Sequence, residues 1–250
     1  MKNLVLSSVF ILMSVLVTAQ ATDSSPSSGV NGLFKKANKV LGSKSDAGGS
    51  LTTEEIAAGL KEALSLGAEK SAGRLSVADG FFKDAAVKIL MPDEVRKMER
   101  RMRTLGMGQL VDDAVLSLNR AAEDASKSAA PIFISAIKKM SVQDAIGILR
   151  GTDTSATWYL KKSTSNELTN VFRPVIETSL KKVDATRYWK DVFSVYNKFA
   201  ATPVNPDINE YVTERALRGI FYYVAEEEKK IRSNPAARVN DILKKVFGSK

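Results

Sequence analysis

The segment Asn119–Leu160, NRAAEDASKSAAPIFISAIKKMSVQDAIGILRGTDTSATWYL, decides the fold class. Read with the turns just before it, it places Val111, Ala114, Val115, Leu118, Ala122, Ala125 and Ala129 on one helical face, and so many alanines imply close helix packing. Asn119 and Glu123, four apart, flank that stripe, whereas Arg120 and Asp124 lie away from it. Pro131 ends this helix and starts another, IFISAIKKM. Ser141 and Asp144 then open a third as a capping pair, Gly151 ends it, and SATWYLKK follows Asp153 as a fourth. The pattern is that of interior helices carrying a polar seam. Short turns bring several helix ends together, and helix N-termini attract anions. The seam therefore predicts a binding site lined by Asn119, Glu123, Asp144, Thr157 and Tyr159. The competing expectation is that Ser141, Asp144 and Asp153 only cap their own helices.

Helical periodicity continues downstream. Thr164 and Glu167 read as a capping box ahead of Leu168, Val171, Phe172, Val175 and Ile176, with Pro174 kinking the helix and Arg173 beside it. An aromatic helix follows Asp184, with Tyr188, Trp189, Phe193, Tyr196 and Phe199. Asp207 and Glu210 cap a long helix that is apolar on nearly every side between Tyr211 and Ala225. Glu228 falls on its apolar face, with Leu217, Phe221, Val224 and Ile231. A buried carboxylate needs a partner, and Arg232, Arg173 or Arg238 can supply it. These four residues join the candidate site. A last helix carries Val239, Ile242, Leu243, Val246 and Phe247 on one face.

Upstream, Leu51-Thr-Thr-Glu-Glu-Ile56 combines a Thr52/Glu55 capping box with a Leu51/Ile56 staple, and Ile56, Leu60, Ala63, Leu64 and Gly67 form the buried stripe. The Gly and Ser residues at 71–73 end or loosen that helix. Asp79-Gly80 makes a turn, Phe81 to Leu90 reads as a short helix, and Pro92 begins the next, closed by Gly106. That helix holds the densest basic cluster, Arg96, Lys97, Arg100, Arg101 and Arg103, interleaved with Glu94 and Glu99.

The first 21 residues have Lys2 followed by an apolar run from Leu4 to Val17 and small residues suited to cleavage after Ala19 or Ala21. This pattern predicts a secretory signal peptide. The run is shorter than the roughly 20 residues a spanning helix needs. Residues 22–50 read as a flexible leader containing a short basic amphipathic helix, whose Lys35, Lys36 and Lys39 can make a weak contact with an anionic membrane. Residues 51–248 read as the folded domain.

Composition narrows the chemistry. The 250 residues contain no cysteine and no histidine, which excludes disulfides, Cys/His zinc sites, thiol nucleophiles, a lipoprotein anchor and Ser-His-Asp triads. Nothing marks a metal or cofactor site. The net charge of +9 comes without any nucleic-acid-binding motif, so no nucleic-acid partner is expected. GMGQLV follows a helix and lacks a third glycine, which removes it as a dinucleotide loop. Ser135-Ala-Ile-Lys138 and Ser179-Leu-Lys-Lys182 match Ser-x-x-Lys, yet neither the Ser-Asp-Asn nor the Lys-Thr-Gly companion is present.

The GFF to LMPDEV region, LNRAAEDA with APIFISAI, the MSVQDAIGIL and GTDTSATWYL run, FRPVI and the ending EEEKKIR with NPAARVNDILKKVFG together resemble the bacterial domain of unknown function 4197 family. The likeness spans roughly Val30 to Gly248. It implies an exported all-helical protein and brings no activity, cofactor or catalytic residue.

These observations predict one all-α domain of about ten helices after a cleaved signal peptide and leader. They predict a soluble periplasmic or extracellular protein that binds an envelope protein or small ligand without catalysis. The alternatives are an enzyme using Asp, Glu, Tyr or Lys in a helix-lined cleft, and a peripheral binder of anionic lipid or polymer.

Overall fold

The computed structural model describes residues 52–182 and 207–233, together with Trp189, Asn197, Lys198 and Pro203. All of them belong to the unit Leu51–Lys250, which is compact separately from Met1–Ser50. The signal peptide, the leader with Lys35, Lys36 and Lys39, the Leu51 half of the staple, most of the aromatic helix, Arg238 and the last helix lie outside the described residues.

Regular structure among the described residues is wholly helical. Seven α-helices, against the roughly ten expected, fall among the described residues: α1 (Thr53–Leu75), α2 (Arg96–Thr104), α3 (Gly108–Ser126), α4 (Ala129–Lys139), α5 (Val142–Arg150), α6 (Ser155–Lys181) and α7 (Ile208–Ser233). A 3-10 turn, Asp93–Val95, leads into α2. None of these helices is long and apolar enough to cross a membrane. The packing centres on α6 and α7, with α3 and α4 against α6, and α1 against α7, α4 and α5. The short helix α2 packs chiefly on α3.

Local chemistry sets the helix ends. Thr52 Oγ1 accepts from Glu55 N–H at 3.2 Å while the Glu55 carboxylate accepts from Thr52 N–H at 2.9 Å, so the capping box that starts α1 is complete. Ser141 and Asp144 make the same reciprocal pair at the start of α5. Gly106, at φ 82°, ends α2: its N–H reaches Arg103 O, and Met107 N–H reaches back to Met102 O. That is the paired closure a left-handed residue after a helix allows. Lys61 of α1 donates its ammonium to the Met140 carbonyl just past α4, where the helix leaves carbonyls unpaired.

Three expectations change. The serine and glycine at 71–73 do not end α1: Ser71 Oγ donates to Gly67 O at 2.7 Å and Gly73 faces open space, so the helix continues to Leu75. The stretch Phe81–Leu90 is a series of turns instead of a helix, entered through Asp79 at φ 70°. Thr164 does not start a helix either, because α6 runs unbroken through it and the Thr164 hydroxyl donates to Leu160 O at 2.6 Å. A side chain that would cap a helix start serves equally well as a back-bonded residue inside one. Pro174 likewise lies within α6.

The core joins these helices through large side chains set among small ones. Phe133 of α4 meets Phe221 of α7 edge to face at 5.6 Å, and Ala121, Ala122 and Ala125 of α3 are fully buried. Phe81 is fully buried against α7, where Gly219 leaves room for its ring. A Cβ on Gly219 would stand 2.5 Å from Phe81 Cε1, and the fully buried ring has little room to retreat. Gly219→Ala should therefore lower stability by about 1–2 kcal/mol, since an overpacking cost of up to ~3 kcal/mol exceeds the ~1 kcal/mol gained in helix propensity. Urea unfolding measures it, and a variant more stable than the parent would show that the ring can move.

Candidate functional site

The carboxylate of Glu228 on α7 sits at the N-terminus of α6. Its Oε1 accepts from Ala156 N–H at 2.9 Å, and its Oε2 accepts from Thr157 N–H and from Thr157 Oγ1, both at 2.8 Å. Arg232, one turn on, donates Nε and Nη2 to Oε1 at 3.1 and 2.8 Å. The same guanidinium reaches the C-terminal end of α5, donating to Ile148 O at 2.8 Å and Leu149 O at 3.3 Å. Both side chains are largely withdrawn from water, at 4% and 11% exposure. The negative group thus faces a helix start and the positive group a helix end, as the helix dipoles favour. The anion at this helix N-terminus is the protein's own.

Asn119 and Glu123 do comparable work on α3. Asn119 Oδ1 accepts from Ile89 N–H at 2.8 Å, while its amide donates to Ile89 O at 2.8 Å and to Val115 O at 2.7 Å. Glu123 Oε1 accepts from the N–H groups of Phe81 and Phe82 at 3.1 and 3.2 Å, and its Oε2 accepts from Arg120 at 2.6 Å. Arg120 continues to Asp79 Oδ1 at 2.7 Å. Hydrogen bonds from Lys83 and Arg120 hold the Asp79 carboxyl below the usual carboxylate range. These side chains satisfy backbone groups that a non-helical segment would otherwise bury unpaired.

The predicted seam is thereby divided. Asn119 and Glu123 hold the Asp79–Ile89 turns, Thr157 holds Glu228, and Asp144 caps its own helix through Ser141, whose hydroxyl keeps the carboxyl below its ordinary range. Tyr159 is half-buried against the core, and burial pushes its hydroxyl up. Of the arginines expected at Glu228, Arg232 is present and Arg173 pairs with Asp207 at 2.6 Å instead, while Arg238 lies outside the described residues. Among the described residues no three carboxylates converge as a metal site would require.

A third cluster ties Asp84 of the turns to both neighbouring helices. Tyr223 of α7 donates its hydroxyl to the carboxylate, Arg74 of α1 donates to it at 2.9 Å, and the Arg74 guanidinium lies 4.3 Å from the Tyr223 ring centroid. Burial, followed by the hydrogen bond to Asp84, pushes the Tyr223 hydroxyl up to about 12.

A concave feature among the described residues lies beneath α2. A cavity of about 510 Å³ is lined by Met91, Val95, Met98 and Met102, by Leu110 and Val111 of α3, and by Trp189 and Ile208. Its size falls within the range of small-molecule pockets. The polar groups at its edge are largely engaged with one another. Glu99 accepts from Arg103 at 3.1 Å, and Asp124 accepts from Lys127 at 2.8 Å and Ser179 at 3.1 Å. Lys127 in turn holds the Asp124 carboxyl below its ordinary range. Arg120 borders the same cavity, so the seam and the pocket meet at its guanidinium. Sequence reading missed this site because the charges of α2 drew attention away from Met98 and Met102. Two methionines four apart on an otherwise polar helix make an apolar stripe just wide enough to roof a cavity, and that was the available signal.

A helical unit with an apolar pocket and internally paired polar groups defines a fold class and no particular reaction. A family model described as Protein of unknown function (DUF4197) matches residues 50–248, and the chain belongs to that family. No curated protein and no solved structure matches it.

Two outcomes check this geometry. Glu228→Ala should cost about 3–5 kcal/mol of stability in thermal or chemical unfolding, because it strips the acceptor from two buried amides and a buried hydroxyl and leaves Arg232 without its anion; an unchanged or raised midpoint would show that the clamp holds nothing. The second concerns alkaline pH. Tyr223 is easier to keep protonated in the folded state, so its contribution is intact below about pH 10, the ordinary tyrosine range, and is lost as pH rises toward 12. Tyrosinate absorbance should show one late-ionising tyrosine that is missing in Tyr223→Phe, whose stability should fall less steeply over that window; identical titrations of the two proteins would contradict the cluster.

Proposed function

We propose that the protein is a non-enzymatic, exported binding protein of the cell envelope that holds an apolar or amphipathic small molecule in the pocket beneath α2. The observation that carries this reading is the pocket itself: about 510 Å³ lined by three methionines and by branched aliphatic side chains, with its bordering carboxylates already hydrogen-bonded. An acid–base enzyme keeps a titratable group poised toward its substrate, whereas here Glu99 and Asp124 are spent on Arg103, Lys127 and Ser179. Methionine is flexible and polarisable, so a methionine-lined wall adapts to chains of differing shape. The apolar run and small residues at 4–21 support export.

Titration with a naturally fluorescent polyene fatty acid tests the reading. The parent protein should bind it and enhance its emission. Ala114→Phe, which adds a ring at a half-buried position on the cavity wall, should weaken binding at least ~10-fold, as the lost contact of a few apolar carbons predicts. Its helical circular dichroism should be unchanged. Equal binding by both proteins would place the probe elsewhere and overturn the assignment.

A further inference from the structure

The roof of the pocket has a second face. Helix α2 buries none of its side chains, and its only apolar residues, Met98 and Met102, point to the cavity. On the outer surface Lys97, Arg100 and Arg101 stand at helical spacings of three and four, all exposed. None of the three has a salt bridge among the described residues, whereas Arg96 pairs with Asp93, and Arg103 with Glu99 and Asp112. Beyond them the α2–α3 turn and the first turn of α3 carry three exposed apolar side chains, Leu105 at 74%, Met107 at 40% and Leu110 at 42%. Leu110 also lines the pocket, so the apolar tip is continuous with the cavity wall.

We infer that the α2–α3 hairpin docks on an anionic lipid bilayer, with Leu105, Met107 and Leu110 entering the interface and Lys97, Arg100 and Arg101 lying against the headgroups. Charge complementarity selects this partner. Three unneutralised cations beside a small apolar tip suit a negatively charged surface with an apolar interior, and an apolar tip alone would not distinguish a bilayer from a protein. The inference rests on the pocket's taking an apolar chain, because Leu110, shared by the docked tip and the pocket wall, gives such a chain a path from the bilayer that avoids water. The polar-faced lid then separates from α3 by losing the half-buried contacts of its two methionines and the exposed Arg103–Asp112 ion pair.

Co-sedimentation of the full chain with vesicles tests the inference. Binding to phosphatidylcholine vesicles containing phosphatidylglycerol should be strong at low salt, should fall steeply at high salt, and should be weak on phosphatidylcholine alone. The triple variant Lys97→Gln, Arg100→Gln, Arg101→Gln should lose roughly 100-fold in partition, about one decade or slightly less per charge removed. Leu105→Ser should weaken partition several-fold and leave the salt dependence in place. Both variants should still bind the fluorescent fatty acid in solution, which separates docking from the pocket. A triple variant that partitions like the parent overturns the hairpin as the docking face, even if Ala114→Phe has upheld the pocket. Self-association abolished by Leu105→Ser, without vesicle binding by the parent, would assign the tip to a second copy of the chain and overturn the inference as well.

Discussion

Two helix ends in this protein depend on one carboxylate. Glu228 accepts hydrogen bonds from two backbone amides and one hydroxyl at the start of α6, and its partner Arg232 donates to the closing carbonyls of α5. Taking two charges out of water is unfavourable, and their mutual attraction alone does not recover the loss. Here the additional hydrogen bonds change the balance, because the ion pair also satisfies backbone groups that every helix leaves unpaired at its ends. The very short turn between α5 and α6 is possible because a third helix supplies the polar partners that neither helix end can supply itself. With α5, α6 and α7 joined in this way, the extended packing of α6 on α7 has a defined register.

The same device recurs on α3. Asn119 and Glu123 pair with the backbone of Phe81, Phe82 and Ile89, allowing a turn-rich segment to cross the core with Phe81 fully buried. That segment leads to Met91 and Val95, which form one wall of the pocket, and Arg120 links its opening turn to the pocket edge. The seam positions a cavity without lining most of it. Rigid anchoring on one side and a lightly attached α2 on the other give the site a fixed floor and a loose roof, and elements with few buried contacts are those that open at low free energy.

The helical class, the capping boxes at Thr52 and Ser141, the left-handed closure at Gly106 and the Glu228–Arg232 pair were all legible in the sequence, because each depends on residues within one or two turns of one another. What was not legible is long-range. Nothing near Glu228 in the chain announces that its acceptor oxygens serve Ala156 and Thr157, more than seventy positions earlier. The turns at Phe81–Leu90 carry a helix-like pattern, and only the tertiary pairing with Asn119 and Glu123 makes another conformation preferable. Thr164 failed as a helix start for the opposite reason, since local hydroxyl chemistry is the same at a cap and inside a helix. Of the seam residues Asn119, Glu123 and Thr157 are buried, whereas Tyr159 is half-buried and Asp144 exposed, and burial alone does not say whether such residues face a ligand or the chain's own backbone.

Hydrogen exchange at single amides gives the most direct measure of the clamp. First-turn amides ordinarily exchange by local fraying, and the Asp144 amide, held by an exposed serine hydroxyl, supplies that reference within the same protein. If Glu228 organises the helix ends, the Ala156 and Thr157 amides should exchange only through global unfolding, with protection equal to that of the buried centre of α6. Exchange of those two amides as fast as that of Asp144 would contradict the account.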